Sequence, residues 1–541
     1  MPLSVNQSDR GTSAHSPAIG TDSPGATPHY FPYSANCGTL QGHVAAVADL
    51  DSFRIASRLN ECPPLLPTIP PIAWYKTPLI GPSSAFIMDS YSSLIPSPSS
   101  ISHAVNMSIR SLTSLLQLSL GLGAVAVPHK SADSTSLPLP IKNVVVLVQE
   151  NLSFDNFAGG LTYNSSIDNL VHRDYCNPVD VNDPKSSVVC AQPIAKNVAP
   201  DDPDHSIAGG NMQVYSTDRP EMEHDTPDMR GFVAEQMRSY PSADKSRAAE
   251  VINYYTPDHI PVFNAMAENF VLFDRWFASV PGPTNPNRAY LTSGTSHGHG
   301  KNDDDFLQSK LPQVSIFEQL SRANVSWINY SNTTDFLPDA LFYEWTAKSG
   351  KGDTNVKGLD QFYKDAKSGS LPQFTWINPE CCSYMSFHPP SPINMGEGFI
   401  KSVYEAVRNS PQWNETLFVL TFDEHGGFAD HVSPPEGVPA GDDLTYTETA
   451  ADGKPFSFDF RRLGIRVPTV LISPWVGKGL VQNRPTHESG DFTHTSILKF
   501  LSELWNLDTL TPRVDWSPSF KHLITNKYRD SPSKLPEPAD F

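Results

Sequence analysis

Basic residues are scarce in this chain: 39 Lys and Arg stand against 58 Asp and Glu, a formal net charge of −19. A nucleic-acid binder needs a basic face to replace counterions, so that class is excluded. A polybasic membrane anchor is excluded on the same ground, leaving at most transient contact with a membrane surface. An acidic shell does not forbid an anionic substrate, because a metal or local cations reverse the potential inside one cleft. Cysteine is sparse too, with six in 541 residues, and the four beyond Ala126 lack the spacing of a zinc ribbon. The leading apolar run, Leu112–Leu122, falls short of the roughly 20 residues that span a bilayer. Residues 138–541 contain no repeat, long linker or low-complexity block.

Proline is abundant instead, at 50 residues against 32 glycines, which points to many rigid loops. Residues 1–106 are rich in Ser and Pro, as in Pro63-Pro64-Leu65-Leu66-Pro67, a composition that builds no packed core. At Met107 the character changes. A short basic start reaching Arg110, the apolar run Leu112–Leu122 and the small-x-small pattern Ala124-Val125-Ala126 together read as a signal peptide. The natural start is therefore placed at Met107, with 1–106 a mis-joined upstream extension, 107–126 the leader and 138–541 one secreted or cell-wall-associated catalytic domain. Sequons at Asn164, Asn324, Asn329, Asn332 and Asn414 agree with export. So do four cysteines beyond the leader: Cys176 and Cys190 offer the simplest local bridge. The adjacent Cys381 and Cys382 can pair with each other or reach two distant partners.

The exported part alternates apolar runs with helical spacing. Residues 141–148 (IKNVVVLV) read as a fully buried strand, 271–273 as the start of another, and 325–330, 373–378, 417–422 and 467–472 as further strands. Helical spacing marks 261–270, with Asp258 as its cap, and 313–323, 396–408 and 495–506. Buried strands alternating with helices imply an α/β fold, a mostly parallel sheet between two helical layers. Residues 161–250 and 331–370 read as irregular insertions capping one edge.

In such a sheet, ligands collect beyond the carboxyl ends of the strands. The first strand runs into Glu150-Asn151, and 417–422 runs into Asp423-Glu424-His425-Gly426-Gly427. Carboxylates where two buried strands emerge can converge on one cation, with the glycines allowing close backbone approach. A third cluster, 281–288 (PGPTNPNR), places Thr284 just before a helix N-terminus, where backbone N–H groups stabilise anions. A hydroxyl there, beside a metal, is a nucleophile for phosphorus; taken alone it is simply a helix cap. Arg288 either binds phosphate oxygens or pairs with a carboxylate. His205, His388, His425 and His431 are the histidines placed to move protons or neutralise charge, and His297 and His299 read equally well as surface residues.

These blocks carry a family resemblance. Residues 141–157 (IKNVVVLVQENLSFDNF), 258–298 (DHIPVFNAMAENFVLFDRWFASVPGPTNPNRAYLTSGTSHG) and 421–435 (TFDEHGGFADHVSPP) resemble, in order, three signatures of the phosphatidylcholine-type phospholipases C and related acid phosphatases. The resemblance implies an alkaline-phosphatase-like α/β/α sandwich and one divalent metal on Glu150, Asn151, Asp423 and Glu424. It implies Thr284 as nucleophile, His205 and His388 as active-site histidines, and motif positions for His425 as a further catalytic residue and for Arg288 and His431 as substrate-binding residues. The substrate would be a phospholipid or a small phosphate ester. Leu152 departs from the basic residue many relatives carry there, and the small carboxy-terminal domains of the haemolytic bacterial enzymes have no counterpart after residues 495–506. A soluble phosphomonoester therefore remains the alternative substrate. A sulfatase is disfavoured because no Cys-x-Pro-x-Arg motif occurs. An inactive binding homologue is disfavoured because Glu150, Thr284, Asp423 and Glu424 are all present.

Overall fold

The computed structural model describes residues 139–541 apart from 223, 333–336, 380–384 and 487. The upstream extension, the leader and the Cys381–Cys382 pair lie outside the described residues.

Eight strands form the main sheet: β1 Asn143–Gln149, β2 Val271–Phe273, β3 Trp327–Tyr330, β4 Val356–Lys357, β5 Phe374–Ile377, β6 Thr416–Phe422, β7 Thr469–Ile472 and β8 Leu480–Gln482. Their spatial order is β8-β2-β7-β6-β1-β5-β3-β4. Only β7 runs against the rest; every pairing that omits it is parallel. All seven residues of β1 and all seven of β6 are buried. Successive side chains in a strand point to opposite faces, so an unbroken buried run requires cover on both. Each Val or Leu so buried contributes roughly 1.5–3 kcal/mol relative to exposure.

The aromatic contacts show which helices supply that cover. Phe317, on α5 (Ile316–Arg322), packs against Trp327, Phe374 and Trp376. Tyr330, three residues beyond Trp327 and so on the opposite face, packs against Phe362 of α6 (Leu359–Ser368). On the first face α5 is joined by α4 (Thr284–Ser293) and α8 (Thr495–Trp505), whose Trp505 meets Phe374. On the second, α6 is joined by α7 (Ile393–Arg408) and α3 (Pro261–Asn269). The expected three-layer α/β arrangement is present.

Three expectations are corrected. Residues 331–370 do not cap an edge: they supply the edge strand β4 and the covering helix α6. Residues 161–250 carry the hairpin Cys176–Cys190, closed by a disulfide, and helices including α2 (Ile207–Tyr215). Asp258 does not cap α3. That helix follows Ile260, and its Val262 and Phe263 N–H groups donate to the buried carboxylate of Glu397, on α7, at 2.8 Å each. Among the sequons, Asn329 is fully buried, its amide donating 2.7 Å to Asn378 Oδ1, so it has no room for a glycan.

Candidate active site

β1 and β6 are adjacent and parallel, with Gln149 opposite Phe422. Glu150 and Asp423 therefore leave the sheet level with one another, and the ladder extends one bond further as Asp423 N–H donates 2.9 Å to Gln149 O. Asn151 then turns sharply at φ 60°, a left-handed conformation that Asn tolerates better than most residues. The turn brings its N–H to Asp423 Oδ1 at 3.3 Å and its side-chain amide 3.4 Å from His205 Nε2. Gly426 and Gly427, both at positive φ, are required here. A Cβ at Gly426 would lie 2.1 Å from Asn151 O, and one at Gly427 2.6 Å from Pro203 Cβ. These contacts press together the loops carrying Glu150, His205 and Asp423. The His388 loop joins them through Glu150 N–H donating to Ser386 O at 2.9 Å.

The rings of His205 and His388 stand edge to face, 6.0 Å apart. Each donates Nδ1–H to a backbone carbonyl at 2.7 Å, Pro203 for one and Pro389 for the other. Those bonds fix the tautomer and make Nε2 the atom through which each ring can exchange a proton, with the Asn151 amide beside that of His205. Asp202, missed in the sequence, lies between them, 3.8 Å from His205 Nδ1 and 3.9 Å from His388 Nε2.

Thr284 is the first residue of α4, inside the helix rather than before it as expected, and is partly exposed. Its turn is held by Asn287, whose amide donates to the carbonyls of Val280, Gly282 and Pro283. Arg288, four residues on and so on the same helix face, is buried and fully committed. Its guanidinium donates to Asp423 Oδ2 at 2.9 Å, Val148 O at 3.2 Å, Glu150 Oε1 at 3.3 Å and Asp339 Oδ2 at 3.4 Å. Of the two roles the sequence offered it, this structure shows carboxylate pairing. It also ties the Thr284 helix to the strand ends.

Three buried carboxylates, those of Glu150, Asp339 and Asp423, thus gather around one guanidinium, and the buried Glu424 follows Asp423, its N–H donating to Asp423 Oδ1 at 2.7 Å. Burial pushes Glu150 up to about 7 against the pull of Arg288, and raises Asp423 likewise. Glu424 is driven well above the usual carboxylate range by burial and then by the Asp423 charge. Glu150 Oε2, Asn151 Oδ1 and Glu424 Oε1 are buried and have no hydrogen-bond partner among the described residues. Orphaned hard oxygen donors carrying excess negative charge fit a divalent cation. A separate set beside them, Asp202, His205 and His388, brings its donor atoms within 4.8 Å of one another.

Not every candidate joins this cluster. His431 is held by Asp155 at 2.6 Å and Asp168 at 3.0 Å, which occupies both ring nitrogens, so the substrate-binding role expected for it has no support in the geometry. His425 is buried behind Glu424, bonded to Gln213 at 2.9 Å, and burial lowers it to about 3. The catalytic role expected for it gains no support from this geometry. His297 and His299 remain apart, the latter bonded to Asp303 at 2.7 Å. The sequence reading also missed His494. Its Nδ1 accepts from Trp276 at 3.3 Å, and its Nε2–H donates to Asp423 O at 2.6 Å, fixing the backbone of that residue. Nothing in the local motif around His494 signals this contact across 71 residues.

Residues 141–508 match the phosphoesterase family. The chain is 38% identical over 409 residues to non-specific phospholipase C4 of Arabidopsis thaliana, covering 73% of each protein. It is 38% identical over 429 residues to non-specific phospholipase C6 of the same plant, covering 76% of this chain and 78% of that one. Among solved structures, a protein of the alkaline phosphatase superfamily from Vibrio parahaemolyticus is 11% identical and covers 48% of this chain and 63% of its own, with a TM-score of 0.30. At that score the likeness carries no weight, and the fold rests on the strand order above.

Proposed function

This chain belongs to the phosphoesterase family and is a hydrolase of phosphoric esters, and from that we propose that it is a metal-dependent phospholipase C with Thr284 as its nucleophile. The observation that carries the reading is the pair of level strand ends, with orphaned Glu150, Asn151 and Glu424 oxygens, joined to the His205 and His388 loops through Asn151 and Glu150. Glu150, Asn151, Asp423 and Glu424 would hold a divalent cation, which when bound neutralises phosphate charge and acidifies a neighbouring hydroxyl.

The chain's own groups supply the remaining steps. Thr284 Oγ1 attacks phosphorus in line with the bond to the leaving alcohol. The Nε2 of His205 or His388 takes up the proton that Thr284 gives up and, as that bond breaks, delivers it to the departing oxygen. Water then cleaves the phosphothreonine, restoring the hydroxyl and releasing the phosphate moiety. Arg288 acts as a positioning residue, holding Asp423 and Glu150 against the base of the Thr284 helix. The Cys176–Cys190 disulfide supports export through the leader at Met107, since a reducing cytosol keeps thiols apart.

Parallel assays on phosphatidylcholine and p-nitrophenyl phosphate, each with and without exhaustive chelation, test the proposal. The expected result is release of diacylglycerol from phosphatidylcholine, abolished by chelation and restored by a divalent cation. Turnover of the monoester alone would reject the phospholipase reading, and undiminished activity after chelation would reject the metal.

A further inference from the structure

A second site lies outside the catalytic cluster. Arg462 is only 3% exposed, yet its Nε and Nη1 have no hydrogen-bond partner among the described residues. Its Nη2 donates to Asn211 Oδ1 at 2.7 Å, and its guanidinium lies over the Tyr215 ring at 4.9 Å and the Phe458 ring at 5.8 Å. Arg462 lines a cavity of about 820 Å³ whose other walls include Arg219, Met222, Phe456 and Phe458. Phe456 and Phe458, two apart on one strand, line the same side. Glu436, also in the wall, accepts the Tyr215 hydroxyl, and Arg219 reaches Asp452 at 2.9 Å at the exposed rim.

Buried N–H groups are paired in nearly all native structures, and two left open on one cation call for an acceptor. A cavity of this size suits a small ligand, with apolar walls and a few polar groups setting its orientation. We propose that this cavity binds an anionic amphiphile: a phosphate or carboxylate head accepting from Arg462, with an alkyl chain lying on Phe456, Phe458 and Met222. None of its lining residues belongs to the catalytic cluster, so the site goes beyond the hydrolase reading and does not rest on it. Asn211 stands one helical turn along α2 from Ile207, and Ile207 packs against Gly282 in the Thr284 turn. An occupant would therefore brace the helix that follows His205.

The test is calorimetric titration of the full chain carrying Thr284→Ala, with the probes recovered intact afterwards to show that no turnover contributes. Decyl phosphate and decanoate are the probes, with inorganic phosphate, acetate and decanol as controls. At least one of the two amphiphiles is expected to bind tenfold or more tightly than its bare head group and than decanol, and the tighter one identifies the source of the head. Arg462→Met is expected to weaken that binding at least tenfold. Should that variant fail to fold, Met222→Glu, at an exposed wall position, is expected to do the same. Equal affinity for amphiphile and bare head group, or undiminished binding in whichever variant folds, would overturn the proposal.

Discussion

His431 and His494 show how residue type and motif position can mislead about role. His431 stands in a recognisable motif, but Asp155 and Asp168 take both its nitrogens. Burial works against its charge, yet the two carboxylates outweigh it and raise the group to about 9. A raised histidine adds stability that is complete below its ordinary value near 6.5 and is lost as pH climbs through 9. His431→Gln is accordingly expected to cost ~3 kcal/mol at pH 6 and to flatten the decline of the urea midpoint between pH 6.5 and 9. Its KM for phosphatidylcholine should not change, whereas a substrate-binding histidine would move KM. His494 lay hidden because its work is a single bond to the carbonyl of Asp423, made only when distant segments meet. The ligand candidates were legible for the opposite reason: each follows directly from a buried strand, so the direction of the strand places it. Asp423→Asn is expected to weaken metal affinity more than tenfold, read from metal titration of hydrolysis.

Elements were legible where local pattern and tertiary burial agree. The valine run of β1 and the apolar run of β6 are buried throughout, and both strands end within a residue or so of expectation. The segment 331–370 was misread because β4 is only two residues long and its neighbouring turns mask the Leu359, Phe362, Ala366 spacing of α6. The start of α3 was misread because its cap comes from another helix. Glu397, 135 residues away, accepts from Val262 N–H. Burial raises Glu397 to about 8 against those two backbone bonds. From its ordinary value of 4.5 up to about 8, the folded chain holds a proton that the unfolded chain has lost, so stability falls as pH rises across that window. Glu397→Ala is expected to remove that slope in urea unfolding and to cost about 2 kcal/mol at pH 5, through the two unsatisfied donors.

At the scale of the molecule, a net charge of −19 and a site with more carboxylates than cations pull the same way. A divalent cation relieves the repulsion at the strand ends, so it is expected to raise the melting temperature. The rise should be larger at pH 8 than at pH 5, because the ligands bind as carboxylates and Glu150 sits near 7 without the metal. Equal shifts at both pH values would count against a carboxylate site. The layered architecture was legible from the alternation of buried strands and helices. The second cavity was not, because Arg462, Met222 and the 455–458 strand share no motif and meet only in the fold. The account as a whole turns on Thr284 lying beside the cation held by Glu150, Asn151, Asp423 and Glu424. Its most direct test is the rate of phosphatidylcholine hydrolysis by Thr284→Ala, with metal content measured on the same sample. The account predicts a loss of at least ~10³-fold in kcat with metal retained; a variant that keeps both its metal and most of its activity would contradict it.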